Sequence, residues 1–270
     1  MNLRAIRAIV EKDLKVVSRQ KGVLLPMIIV PLIFLVIIPI GVSLAAQYAP
    51  LDAFEELSTF IDNMPATMFS GYKDLPMDEL IIILALVYFM APMFLIIPLM
   101  VASVIAADSF AGEKERKSLE ALIYTPTTDS ELLIGKLASA WIPAWAVSFF
   151  GFIVYALVVN IANWSVMGRI FFPNLMWILL AFWVAPAAAG LGLSSMVIVS
   201  ARVKGFQEAY QLGGSMVLPI VLLVIGQAAG VIYFNTLMVV LLGAVFWSVN
   251  ALLLWIGARS FHRSEMIAQL

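Results

Sequence analysis

Apolar and polar positions along this chain come in long blocks rather than in alternation. Six apolar runs stand out, at residues 23–46, 80–107, 137–161, 174–200, 212–234 and 236–258. A bilayer core of ~30 Å takes about 20 apolar helical residues to cross, so each run predicts a membrane-spanning helix. Every Lys, Arg, Asp and Glu lies outside these runs or at their edges. Ahead of the first run, Leu3, Ile6, Val10, Leu14 and Val17 recur at spacings of three and four, with Arg4, Arg7, Glu11, Lys12, Lys15 and Arg19 mostly on other faces. That pattern predicts an amphipathic helix over 1–22 lying along the membrane interface, its basic side chains favoured by anionic lipid. A positive anchor that only sets topology is the simpler alternative. Between the first two runs, 47–79 holds Pro50, Pro65 and Pro76 and a short stripe of Leu51, Phe54, Leu57 and Ile61, too small for a domain of its own. Over 212–258 only Tyr233-Phe234-Asn235-Thr236 breaks the apolar pattern, which fits two full spans or one span followed by helices that dip in and return.

The expected fold is an all-α integral membrane protein, a six-transmembrane-helix bundle over 23–258 with a tail at 259–270. Composition agrees: 63% of the 270 residues are apolar and 12% charged, and the mean hydropathy of +1.03 lies far outside the range of soluble domains. A net charge of -1 argues against a nucleic-acid partner, which needs a concentrated basic surface. Without Cys there is neither a disulfide framework nor a thiolate metal site. Residues 1–22 are too long and too mixed in charge for a signal-peptide head, so the first span is expected to stay in the mature protein. Assigning alternate loops to one side places fourteen Lys and Arg there and two on the other, which predicts cytoplasmic termini and an outside loop at 47–79.

The spans carry no ionisable group of the kind that proton- or sodium-driven transporters and intramembrane enzymes use. The one histidine, His262, stands in the tail beside Arg263 as a solvated side chain. Gly112–Ser118 has the outline of a phosphate-binding loop, but Lys117 occupies the place of the second Gly and Ser118 that of the Lys. Asn163-Trp164-Ser165 matches a glycosylation sequon, read as incidental so close to the membrane.

The charged residues concentrate instead between the second and third runs, where ten fall within 108–136. Placing them in hydrocarbon would cost on the order of 25 kcal/mol, so the segment is expected to be cytoplasmic. Leu119, Leu122 and Ile123 give it an apolar strip, Thr125-Pro126 stops a helix, and Thr128-Asp129-Ser130-Glu131 supplies a capping box for the next one. The residues alone leave two readings open: a solvated loop whose charges fix topology, or a rigid elbow with a polar face for a partner.

The stretch AGEKERKSLEALIYTPTTDSELLIGK resembles the segment between spans two and three of permease subunits of type 2 ABC (ATP-binding cassette) exporters. Their usual pattern is close to E-x-E-x-G-T-L-E-x-L-L-x-T-P followed by a Leu-rich run ending in G-K. Glu113, Glu115, Leu119, Glu120, Leu122, Thr125, Pro126, Leu132, Leu133, Gly135 and Lys136 fit it, while Lys117 and Ser118 replace the frequent Gly-Thr. The resemblance implies that 108–136 holds a cytoplasmic coupling helix that docks on a separate ABC ATPase subunit, with ATP and Mg bound by that partner and no cofactor in this chain. Glu113, Glu115, Arg116 and Glu120 would be its polar contacts; Leu119, Leu122 and Tyr124 would anchor it, and Thr125 and Pro126 would end it. It also implies export across a prokaryotic cell membrane by two permease chains, the same or related. Spans two and five would line the route, through Phe89, Met90, Met93, Phe94 and Gln227, with Asn250 in span six as a weaker candidate. Met and aromatic surfaces suit an apolar or amphipathic cargo. The rivals are a membrane scaffold or immunity-type protein on which the charged segment is a static docking site, and an ion-independent channel or facilitator. Small residues at Gly226–Gly230 and at Ala188, Gly190, Gly192 and Ser194 are expected to serve helix packing within the chain.

Overall fold

The computed structural model describes residues 2–48, 75–116, 127–203 and 205–260, of which 258–260 are described by their backbone alone. The expected stripe at Leu51–Ile61, the segment holding Leu119, Glu120, Leu122, Tyr124, Thr125 and Pro126, and His262 all lie outside the described residues. Among the described residues there is an N-terminal helix α1 (Leu3–Arg19) and six helices long and apolar enough to cross a membrane. These are α2 (Lys21–Tyr48), α3 (Met77–Glu115), α4 (Asp129–Ala162), α5 (Leu175–Ser200), α6 (Phe206–Ala228) and α7 (Thr236–Ser260). The described residues contain no strand. The all-α six-span expectation holds.

Four boundaries differ from the apolar runs by more than three residues: both ends of α6, which spans Phe206–Ala228 where the run is 212–234, and one end each of α3 and α4. α3 has 39 residues and continues beyond residue 107 to Glu115, and α4 begins at Asp129 rather than at 137. At 1.5 Å per residue α3 is ~58 Å long, nearly twice the hydrocarbon thickness, so its backbone bonding carries on after the apolar side chains stop. The start of the charged segment is therefore the end of span two. The Thr128 box forms as expected: the Thr128 hydroxyl accepts from Glu131 N at 3.2 Å, and Glu131 Oε2 accepts from Thr128 N at 3.0 Å. The open question at 212–258 resolves into two separate membrane-length helices. Gly230, at φ +70°, reverses the chain after α6, and Val231 N and Ile232 N both donate to Gly226 O. The Gly226–Gly230 pair thus ends a helix rather than providing a contact face.

α3 and α5 are the most buried helices and form the centre, while α2, α4, α6 and α7 turn residues such as Leu25, Leu157, Leu222 and Leu252 outward. The small face of α5 is used inside the chain. A Cβ on Gly192 would press into Leu99 O and Ser103 Oγ of α3, and one on Gly190 would press into Asn250 of α7. Asn163 is fully buried, and its amide donates to Ser43 Oγ at 2.9 Å and Val159 O at 2.8 Å, so the sequon is occupied by packing.

In hydrocarbon every backbone carbonyl needs a partner from the protein, and each span proline removes one N–H. Three widened π-helical stretches, Ile33–Ile37, Ile83–Phe89 and Leu180–Val184, end just before Pro39, Pro92 and Pro186. Indole and phenol groups donate to backbone carbonyls close to these turns, among them Val87 O, five residues before Pro92. Trp177 Nε1 donates to Val87 O at 2.7 Å, Tyr155 OH donates to Leu86 O at 2.5 Å, and Trp141 Nε1 donates to Pro186 O at 2.9 Å. Tyr155 and Trp177 stack at 4.9 Å between ring centres, which locks these donors in place.

Gly192→Ala is expected to destabilise the bundle by about 1–3 kcal/mol, because the new methyl meets the backbone of α3. Gly22→Ala, with open space around its Cβ, should be close to neutral. Thermal unfolding of the two variants in detergent checks the difference.

Candidate functional site

The charged end of the bundle is built where α1, the last turns of α3 and the first turns of α4 meet. α1 lays Ile9, Asp13 and Val17 against α4. These lie four residues apart on one face, and the approach is close because Gly135 leaves no Cβ: one built there would lie 2.9 Å from Ile9. A carboxylate in the middle of that row is thereby carried into the interior. Asp13 is 3% exposed, Glu113 5% and Lys136 0%.

Burying isolated charges is prohibitive unless they are paired and hydrogen-bonded, and here they are. Lys136 Nζ donates to Glu113 Oε2 at 2.6 Å, to Ser109 O at 2.5 Å and to Ser109 Oγ at 3.1 Å, and lies 5.3 Å from the centre of the Phe110 ring. The other Glu113 oxygen, Oε1, takes the Lys12 ammonium, which also stands 2.9 Å from Asp13 Oδ1. Asp13 Oδ2 accepts from Ser109 Oγ at 2.8 Å and Ser139 Oγ at 3.0 Å. Two ammonium groups and two carboxylates make a neutral cluster with three helices in it. Burial pulls Lys12 down, but its bonds to Glu113 and Asp13 outweigh this and hold it above the ordinary lysine range. Burial likewise pushes Asp13 up, but Lys136, Lys12 and Ser109 outweigh that and hold its carboxyl below the usual range.

Successive residues at the end of α3 each hold a different neighbour. Glu113 ties α1 to α4, and Lys114 Nζ reaches Val203 O at 3.5 Å in the α5–α6 connection. Glu115 Oε2 accepts from Phe206 N at 2.9 Å, placing a carboxylate at the first turn of α6, where the helix dipole favours it. Arg116 pairs with Asp108 at 2.9 Å, and Gln20, with its amide turned to satisfy both, bridges the same two side chains.

These placements refine the expected site. Glu113 faces inward, so its charge is used within the chain; Glu115 and Arg116 are exposed but engaged. On α1, Arg4, Arg7, Lys15 and Arg19 are exposed as expected, while Lys12 turns inward into the cluster. The apolar stripe of α1 divides in two: Val17 packs inside, Leu3 and Leu14 are exposed, and Ile9 is a buried member that the stripe omitted. Asp13, Ser109 and Ser139 were absent from the expected site, and the readable signal was Asp13 between Ile9 and Val17 at helical spacing.

Of the expected route residues, Phe94 is buried against Trp177 at 5.4 Å between ring centres, Asn250 is buried beside Gly190, and Phe89, Met90 and Met93 are half-buried. Gln227 is buried with Oε1 lacking a hydrogen-bond partner. A cavity of 210 Å³ opens elsewhere on the α3–α6 seam, lined mostly by apolar surface of Met100, Ser103, Val104, Tyr210, Gly214 and Val217. None of these was among the expected residues.

Lys136→Met leaves Glu113 and Asp13 facing Lys12 alone and is expected to destabilise by about 3–5 kcal/mol. Adding Glu113→Gln restores neutrality and should recover part of the loss, which a double-mutant cycle in thermal unfolding measures. Because Asp13 is held below its unfolded value, its contribution is complete above the ordinary carboxylate range (~3.9) and should fade only as pH falls below it.

The family model for ABC-2 family transporter protein matches residues 7–256. No curated protein matches the chain. The match takes in most of α1 and, apart from the last turn of α7, all six membrane-length helices, together with the charged end that joins them, and the chain belongs to the ABC-2 family of transporter proteins as a multi-pass membrane permease.

Proposed function

We propose that this chain is the permease subunit of an ATP-driven exporter, paired with a second permease chain, the same or related, and served by separate ABC ATPase subunits that bind ATP and Mg. Its charged end and both termini would face the cytoplasm of a prokaryotic cell. The observation that carries this reading is the end of α3. Glu113, Lys114 and Glu115 bind α1, α4, the α5–α6 connection and the start of α6 directly ahead of the segment 117–126. A push on that segment from a docked ATPase would reach four other parts of the bundle through side chains one residue apart. In this reading Glu113, Glu115 and Arg116 hold the base of the coupling helix, while Leu119, Glu120, Leu122 and Tyr124 make the contact and Thr125 and Pro126 end it.

The route follows the α3–α6 seam, where the 210 Å³ cavity offers apolar walls. An apolar or amphipathic cargo is the class that such walls favour. Phe89, Met90, Met93 and Gln227 continue the seam toward the other membrane face, whereas Phe94 and Asn250 serve packing.

In a complex reconstituted with its ATPase, Glu120→Ala combined with Leu122→Ala is expected to lower cargo-stimulated ATP hydrolysis about tenfold, a coupling loss of ~1.4 kcal/mol, with thermal stability retained. Unchanged stimulation would sink the coupling assignment and leave the static scaffold in its place. Gly214→Leu, at a position with open space around its Cβ, should fill the cavity and raise the cargo concentration needed for half-maximal stimulation.

A further inference from the structure

α1 has three faces. One, through Ile9, Asp13 and Val17, is fixed to α4. Beside it Leu3 is 71% exposed and Leu14 36% exposed, an apolar flank left partly open by the described residues. The third carries Arg4, Arg7, Lys15 and Arg19, all exposed. Arg7 is paired with Glu11 at 2.7 Å, and Lys15 also attracts that carboxylate, whereas Arg4 and Arg19 have no carboxylate partner among the described residues. An apolar flank next to unpaired cations on a helix of a membrane protein matches the layering of acyl chain and anionic headgroup in a bilayer leaflet.

What distinguishes this helix from a plain surface anchor is its inner face. Lys12 and Asp13 are adjacent residues of α1, and both belong to the buried cluster that holds Glu113 and Lys136. α1 has no independent freedom to follow the leaflet: if headgroups draw it outward or release it, Lys12 and Asp13 move, and the end of α3 must repack with them.

We infer that anionic phospholipid headgroups bind the outer face of α1 and that their occupancy regulates the coupling end of α3 through Lys12 and Asp13. The binding half stands by itself; the regulatory half rests on the function proposed above. A neutral bilayer leaves α1 loosely held and the cluster less ordered, and an anionic one seats it.

Two measurements test the two halves separately. In the first, the full chain without any ATPase is placed in phosphatidylcholine vesicles, and the association of spin-labelled phosphatidylglycerol is compared with that of spin-labelled phosphatidylcholine. The wild type should prefer phosphatidylglycerol, and high salt should reduce the preference. Arg4→Gln/Lys15→Gln/Arg19→Gln should weaken it by tenfold or more, since one basic side chain near an anionic surface is worth roughly a fivefold preference. No preference in the wild type, or an unchanged one in the triple variant, overturns the inference. In the second, ATP hydrolysis by the complex is compared in vesicles with and without phosphatidylglycerol. Both the triple variant and Lys12→Gln/Asp13→Asn should lose the lipid response, but the latter should keep its phosphatidylglycerol preference because its outer face is intact. A lipid response that survives Lys12→Gln/Asp13→Asn overturns the regulatory half. A complex that fails to couple ATP hydrolysis to this chain counts against the proposed function, while the spin-label result still decides the lipid site.

Discussion

The Lys136 ammonium, wholly cut off from solvent at the edge of a membrane protein, is the constraint on which the charged end depends. It must remain paired, and its partners come from two directions: Glu113 and Ser109 at the end of α3, and Asp13 from α1 through Ser109. Satisfying it determines how far α3 extends beyond the lipid, where α1 lies and how α4 begins. Such a cluster is weak as a source of stability, since paired buried charges roughly break even against apolar packing. Its contribution is geometric, because each member has only one arrangement in which no charge is left alone.

A second constraint shapes the middle of the bundle. The prolines leave backbone carbonyls short of donors in a medium that offers none, and widened helical turns stand just ahead of them; indole and phenol groups add donors to Leu86, Val87 and Pro186 nearby. The aromatic residues at the centre are thus as much hydrogen-bond donors as apolar filling. Trp177 and Tyr155 are buried together for these bonds, and Phe172 packs edge-on against both rings.

Much of this fold was legible because a membrane span is a local signal: about twenty apolar residues report a helix whatever surrounds them. The Thr128 box was legible for the same reason, since its partners stand three residues apart. What escaped was long-range. Asp13 finds Ser109 and Ser139 at separations of 96 and 126 residues, so nothing near it in sequence announces its burial beyond its place between two apolar neighbours. The end of α3 was misplaced because apolar character stops at the lipid edge while backbone hydrogen bonding continues. Gly226 and Gly230 were misread because one spacing serves both a contact face and a helix stop, and only the positive φ of Gly230 separates them. The charge of Glu113 pointed correctly to this end of the bundle, but not to which side of the helix it faced.

The position of Asp13 also bears on how the molecule is made. α1 emerges from the ribosome ahead of α3 and α4, so Lys12 waits for Glu113, which lies 101 residues later, and Asp13 waits for Ser139. Until α4 has been synthesised, the inner face of α1 has no wall to rest on. Its acid and base stand side by side and neutralise each other meanwhile, which allows the helix to lie at the membrane surface without a stranded charge. The cluster then closes only when the third span has arrived. Joined in this way, α1 is made before its partners but seated only after them, and its seating requires that α2, α3 and α4 have been laid down in order.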